Sequence, residues 1–414
     1  MSRPYTISGI DIGNSQVKVI IAKINSDSLK PEIIGWGSNT SNGLRRGVVV
    51  DMEETIENLR SAVQKAEAMA GVSVKKAYLA VGGLHINTQT SRGVIAVSRA
   101  DNEISQSDID RVVKAASVVS LPANREIIHV ISKNFIVDGS EYVKNPLGMK
   151  GVRLEADVLI VDGLSPYLRN FAKCVNGCNI EVGGLVYAPL ASAMAVLDKN
   201  QKEYGVVSID FGGSTSSITV FEEADLLYSK ILPVGSRHIT NDLAVLLRTS
   251  IDIAERVKLD YGSTFDAEDM RRRGEVDLSD LVGEEKFVLP KKQLIRVVDA
   301  RAQELIDIVS NELKKVIKNG ILPAGIVLSG GGVNLPGLVA LAKDKLRLPV
   351  RIAKSVHFEG ISEIVDDPAF SVAMGSVLWG VERETGSYNN KISASLSSND
   401  NFKKITDWLK NFMP

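Results

Sequence analysis

The first clear pattern along the chain is a hairpin. "YTISGIDIGNSQVKVIIAKI" (5–24) reads as two β-rich runs separated by "DIGNSQ", with the turn marked by Gly13, Asn14 and Ser15. A second copy begins at Tyr204. "YGVVSIDFGGSTSSITVFEE" (204–223) aligns on the first without a gap, so that Ile10, Asp11, Ile12 and Gly13 fall on Ile209, Asp210, Phe211 and Gly212. Each copy is apolar strand, Asp, Gly, small polar turn and β-rich strand, which predicts two related halves of an α/β architecture. Helical patterns follow the strands. "DMEETIENLRSAVQKAEAMAG" (51–71) spaces Ile56, Leu59, Val63 and Ala66 as a helix does and closes on Gly71, after which "KKAYLAVGG" returns to a strand.

The stretch 85–164 breaks this alternation. β-rich "HINTQTSRGVIAVS", a helix expected from Ser107 to Val119, and the β runs "IIHVISKNFIVDG" and "VRLEADVLIVDG" predict a self-contained α/β insertion in the first half. Residues 240–304 are more helical and more charged, and predict an accessory lobe of the second half. Residues 385–401 hold nine Ser or Asn in seventeen positions and almost no aliphatics, the composition of a flexible linker. Beyond it, Phe402, Ile405, Trp408, Leu409 and Phe412 form one stripe of a helix, with Lys403, Lys404 and Lys410 elsewhere around it. Aromatic rings favour the headgroup boundary and lysines favour anionic lipid, so this tail predicts a peripheral membrane-binding helix too short to span. One such tail holds weakly and an array of them firmly.

Composition narrows the classes. With 44% hydrophobic residues in 414, the chain can build more than one core. Forty-nine Lys/Arg against 50 Asp/Glu leave a formal charge of −1, so no broad basic face invites nucleic acid. The two cysteines, Cys174 and Cys178, lack a second pair for a zinc site and read as reduced thiols on or beside one helix. His85, His129, His238 and His357 have no metal-ligand spacing. There is neither an apolar signal region at the start nor a run of about 18 apolar residues, so the expectation is a chain neither secreted nor membrane-spanning.

The hairpins carry the candidate chemistry. Gly and small hydroxylic residues between strands let backbone N–H groups approach a phosphate, and two such turns facing each other could grip a polyphosphate from both sides. Asp11 and Asp210, at matching strand ends, would offer hard oxygens to Mg²⁺ or its waters, and Lys18 would face phosphate charge. Asp210 is also the candidate for any catalytic step. A third glycine site, Gly330, Gly331 and Gly332 in "AGIVLSGGGVNLPGL", lies between a buried strand and a helix expected to open at Pro336. No G-x-x-x-x-G-K-[ST] occurs, nor G-x-G-x-x-G after the first strand, which disfavours P-loop and Rossmann folds.

"IDIGNSQVK", "SIDFGGSTSSITVF" and "GIVLSGGGVNLPGL", in that order, resemble the two phosphate loops and the adenosine loop of the actin/sugar-kinase/DnaK superfamily. "GLRRGVVVDMEETIENLRSAVQKAE", "VKNPLGMKGVRLEADVLIV", "LPVGSRHITNDLAVLLRTSIDIAERVKLDYG" and the tail narrow the resemblance to the bacterial cell-division family FtsA, over essentially the whole chain. The resemblance implies an actin-like two-domain ATPase fold with an FtsA-type insertion. Subdomain 1A would be 1–84 and 165–205, 1C the insertion 85–164, 2A 206–240 and 305–384, and 2B 241–304. It implies ATP and Mg²⁺ as cofactors, and nucleotide contacts at Gly13, Asn14, Ser15, Lys18, Gly212, Gly213, Ser214, Thr215, Glu255, Lys258 and Gly330 to Gly332. It also implies self-assembly into filaments and a peripheral place on the cytoplasmic face of the membrane at the septum. The C-terminal peptide of FtsZ would dock on 2B, with Arg301 of "LIRVVDARAQEL" as an anchor, and later division proteins would meet 1C.

One departure matters. Where actin-like ATPases offer a Glu or Gln to position the attacking water, "GLVYAPLASAMAVL" has Ala188 before Pro189. A positioned acid or base contributes about 10²–10⁴-fold, so hydrolysis is expected to be slow or absent. The rival readings are a PilM-type scaffold of pilus assembly, which would not need the tail, and a catalytic ATPase or sugar kinase, which would need the missing acid.

Overall fold

The computed structural model describes residues 4–25, 30–140, 142–265, 274–282, 287–317, 322–385 and 392–393. The chain divides into two compact units. Among the described residues, the first comprises those from 4 to 85 and 169 to 381, the second those from 86 to 168 together with 382–385 and 392–393.

In the first unit the repeat seen in the sequence becomes two sheets of matching topology. Tyr5–Ile12, Gln16–Ile24 and Glu32–Thr40 form an antiparallel meander, and Lys76–Val81 and then Glu181–Tyr187 add in parallel beside the first strand. The second sheet repeats this plan. Val206–Phe211, Ser216–Glu222 and Asp225–Leu232 make the meander, and Ile326–Ser329 and Val350–Ile352 add in parallel. The first strand of each meander is therefore central, buried on both faces, and ends at its Asp and Gly. This explains its continuous apolar run: Ile10 and Ile209 have no exposed surface.

Glycines set how closely the helices approach the first sheet. The helix Met52–Ala70 starts where the Asp51 side chain accepts the Glu54 N–H at 3.0 Å and stops at Gly71, which has φ 68°. Its backbone lies directly on the strand Glu32–Thr40. A Cβ at Gly37 would fall 1.9 Å from the carbonyl oxygen of Ala62, so no side chain fits between them. Leu59 and Ala62, fully buried on this helix, lie within the contact.

The accessory region of the second half is helical, as its composition predicts. Arg237–Leu247, Ile251–Tyr261 and the long helix Lys291–Val316 share a core of Ile239, Leu243, Val257, Leu294 and Val298. A short hairpin, Glu275–Asp277 with Val288–Pro290, completes it. Cys174 is buried in the helix Ser165–Asn176 and Cys178 follows just beyond its end; both are free thiols.

The second unit packs the helix Gln106–Ser117 on a sheet that includes Asn87–Ala96, Arg153–Leu164 and Arg125–Val137. The helix begins and ends one and two residues earlier than the expected Ser107–Val119. Its start is fixed by a reciprocal cap, in which the Ser105 side chain accepts from Asp108 N–H and the Asp108 carboxylate accepts from Ser105 N–H at 3.0 Å. Asp108 also accepts from Ser98 and from both serine hydroxyls. Burial alone would raise its pKa, yet these hydrogen bonds hold it well below the usual carboxylate range.

Because the Ala62 carbonyl occupies the space beside Gly37, Gly37→Ala is expected to lower unfolding stability by about 1–3 kcal/mol in urea titration. An unchanged midpoint would contradict the close approach.

Candidate functional site

A cavity of about 600 Å³ opens in the first unit, bounded by both hairpin turns. This lies within the size range of small-molecule sites. The two turns are built alike: Gly13 N–H donates to Gln16 O at 3.0 Å and Gly212 N–H donates to Thr215 O at 3.0 Å. A Cβ would stand 2.9 Å from Gln16 O in the first and 2.8 Å from Thr215 O in the second, so each turn requires its glycine. The turns also meet. A Cβ at Gly213 would sit 2.0 Å from the Ser15 Oγ. Bare backbone from each half thus faces the same space.

Behind the turns stand the carboxylates. Asp11 is in register with Lys18 and Asp210 with Ser217, at equivalent places in the two hairpins. Burial pushes the Asp11 carboxyl up to about 6; Lys18 opposes that shift and the neighbouring Asp210 adds to it. The Asp210 pKa is likewise raised by burial, against Lys18 and against hydrogen bonds from Ser192 and Ser329. Both hydroxyls lie 3.2 Å from Asp210 Oδ2 and 2.9 Å from each other, so this carboxylate is held from one side. Lys18 is buried, with its Nζ 5.8 Å from the centre of the Phe370 ring.

The remaining walls come from several elements. Ser236 N–H donates to Gly212 O at 2.9 Å and Arg237 N–H to Gly213 O at 2.7 Å, so the helix Arg237–Leu247 is seated on the second turn. Glu255 and Lys258, three residues apart on the next helix, pair at 2.7 Å and both line the cavity. The buried Thr240 hydroxyl lies between them, 2.5 Å from Glu255 Oε2 and 3.1 Å from Lys258 Nζ. Gly330, with φ 84°, carries the chain past Asp210; a Cβ there would lie 2.9 Å from Asp210 Oδ1. Gly331 and Gly332 also line the cavity.

The helix after the third glycine site does not open at Pro336. Gly331–Asn334 forms a short 3-10 turn, and the helix runs Leu338–Leu346 with Gly337, at φ 85°, before it. The left-handed backbone of Gly337 separates Pro336 from the helix, so proline does not set its first turn.

Of the residues singled out in the sequence, Asp11, Gly13, Asn14, Ser15, Lys18, Asp210, Gly212, Gly213, Thr215, Glu255, Lys258 and Gly330 to Gly332 line one cavity. Ser214 is not among its lining residues. Asn14 has its side-chain oxygen engaged by Gly47 N–H at 2.9 Å, so it braces the neighbouring turn. Arg301 lies elsewhere and is not a free cation: its guanidinium grips Asp242 through two bonds of 2.6 and 2.9 Å and reaches Glu304 at 2.6 Å. The tail stripe Phe402 to Phe412 lies outside the described residues. Sequence reasoning missed Ser192, Ser329, Thr240 and Arg237. Only Ser329, directly before the glycines of "LSGGG", had a positional signal.

The donor set fits a nucleotide with a hard cation. Where the two halves meet, the backbone leaves a cradle that a Cβ at Gly213 would fill, and two half-buried carboxylates stand behind it. Among the described residues no group of three or more His, Cys, Asp or Glu gathers as metal ligands. A divalent ion would therefore find two protein carboxylates here and complete its shell with water or phosphate oxygens.

Comparison with known proteins agrees with this architecture. The profile described as "SHS2 domain inserted in FTSA" matches residues 83–162, and "Cell division protein FtsA" matches 207–375. The chain is 34% identical to cell division protein FtsA of Pseudomonas aeruginosa, over 95% of this chain and 94% of that protein. It is 38% identical to the Bacillus subtilis FtsA, over 89% and 82%, and 30% identical to that of Escherichia coli K12, over 98% and 97%. Among solved structures, the PilM–PilN type IV pilus biogenesis complex aligns with TM-score 0.66 at 16% identity, covering 91% of this chain and 98% of that one. MreB5 of Spiroplasma citri bound to ADP aligns with TM-score 0.53 at 14% identity, covering 94% and 99%. The fold is actin-like, with the FtsA type of insertion. The chain belongs to the FtsA family of cell division proteins.

Proposed function

We propose that this chain binds ATP with Mg²⁺ in the cavity between the two hairpins, assembles into filaments, and tethers FtsZ to the cytoplasmic face of the bacterial membrane at the septum. The observation that carries the nucleotide part is the contact of the Gly213 backbone with Ser15, in front of two half-buried carboxylates and the buried Lys18. The turn amides would bind phosphate oxygens, Lys18 would balance their charge, and Asp11 and Asp210 would hold the metal or its waters. Bound Mg²⁺ supplies positive charge that neutralises the phosphates. Glu255 and Lys258, kept together by Thr240, would take the ribose or base. Ala188 and Pro189 line the cavity and offer no proton acceptor, so the nucleotide would serve as a switch rather than a rapidly consumed substrate.

The further parts of the proposal rest on family membership and on the sequence. Residues 85–164 would be subdomain 1C, which meets later division proteins, and 241–304 would be 2B, which meets the FtsZ peptide. Arg301 serves that peptide only if an incoming carboxylate shares or displaces Asp242 and Glu304. The tail 402–414 would provide attachment to anionic lipid. No described helix is long and apolar enough to cross a membrane. The PilM-type reading rests on fold likeness at 16% identity and explains neither the tail nor the near full-length FtsA relatives.

Gly213→Val puts a branched side chain onto Ser15 and is expected to weaken Mg-ATP binding in calorimetry by at least about tenfold; equal affinity would refute the cradle. In the same titration pH matters through Asp11. The free protein holds this acid up to about 6, whereas metal binding needs it ionised. Affinity should fall as pH drops from 7 to 5, and Asp11→Asn should bind more weakly at pH 7 with a flatter profile. The sign for stability is the opposite. The raised acid favours the folded free protein below its unfolded value near 4, and that contribution disappears as pH rises through about 6. For the tail, the full chain should co-sediment with anionic liposomes and a truncation ending at Glu384 should not; equal pelleting would remove the membrane assignment.

A further inference from the structure

The two hairpins match in backbone but not in charge. In the first, the residue in register with Asp11 is Lys18; in the second, the residue in register with Asp210 is Ser217. The second half therefore lacks the cation that its own strand could have supplied. Arg237 lines the same cavity from the helix seated on the second turn. Its backbone N–H is bound to Gly213 O at 2.7 Å, so its Cα is fixed beside the second turn. The residue is half-buried, lines the cavity, and has no ion pair or side-chain hydrogen bond among the described residues. The other cavity cations near it are committed: Lys258 pairs with Glu255, and Lys18 faces Asp11 and Asp210.

A half-buried guanidinium with no partner forgoes hydration without compensation. Its five donors in a planar fork suit phosphate oxygens better than any other side chain. We propose that Arg237 is the second half's phosphate cation, replacing the lysine absent at position 217, and that it makes affinity depend on the number of phosphates in the nucleotide. This rests on the nucleotide reading above. Lys18 and Arg237 would then approach the phosphate chain from the two halves, so that only a nucleotide with enough phosphate charge engages both. Adenosine has nothing for either to hold.

The test is calorimetry of the full chain with Mg-ATP, Mg-ADP and adenosine, comparing wild type with Arg237→Gln and Arg237→Lys. Thermal melts check that the variants are folded. The expected result is a loss of about tenfold or more for Mg-ATP in Arg237→Gln, a smaller loss for Mg-ADP, none for adenosine, and partial recovery in Arg237→Lys. Unchanged Mg-ATP affinity in Arg237→Gln overturns the proposal, as does an equal loss for all three ligands, which would mean that Arg237 only shapes the cavity. Wild-type protein that binds none of the three overturns the nucleotide reading itself, and the proposal with it.

Discussion

The arrangement of this protein turns on one contact, the approach of the Gly213 backbone to the Ser15 hydroxyl across the cavity. Each hairpin on its own is a strand ending in Asp and turning through Gly, a common local structure with no ligand specificity. Brought together, the two turns place backbone amides, two carboxylates and a lysine around one space. This convergence is costly in the free protein. Burial and mutual repulsion raise the pKa of Asp11, and burial raises that of Asp210, against the pull of Lys18. Groups whose pKa is shifted by burial and by a neighbouring like charge concentrate at functional sites.

The surrounding fold exists to keep those turns in place. The first strand of each meander is central in its sheet and largely buried, so the turns at their ends cannot shift without moving a sheet. The second turn is further clamped by the amides of Ser236 and Arg237. That same helix carries Thr240, which bonds Glu255 and Lys258, and Asp242, which bonds Arg301. One short element thus touches the cavity at one end and an ion pair of the accessory region further along.

Much of this was legible in the sequence because it depends on residues that are short-range and periodic. The gapless repeat around Asp11 and Asp210 revealed the duplicated halves, and the aligned glycines predicted two turns whose hydrogen bonds agree at 3.0 Å. The helix up to Gly71 followed from its apolar spacing and the closing glycine. What was not legible depends on tertiary distance. Ser192 and Ser329 are far apart in sequence, yet both hold Asp210. Arg301 enters from the sequence only as an implied peptide anchor, and the fold sets Asp242 against it. Asn14 lines the cavity as expected, and only the fold shows that its side-chain oxygen also accepts from Gly47 N–H. Pro336 suggested a helix start because proline suits a first turn, and the left-handed Gly337 shifted that start downstream.

The most direct test of the central claim is an experimental structure of the full chain with Mg²⁺ and a non-hydrolysable ATP analogue. The account predicts the triphosphate between the turns at Gly13–Ser15 and Gly212–Thr215, with Asp11 and Asp210 on the metal side. A nucleotide bound elsewhere, or a triphosphate touching only one of the two turns, would contradict it.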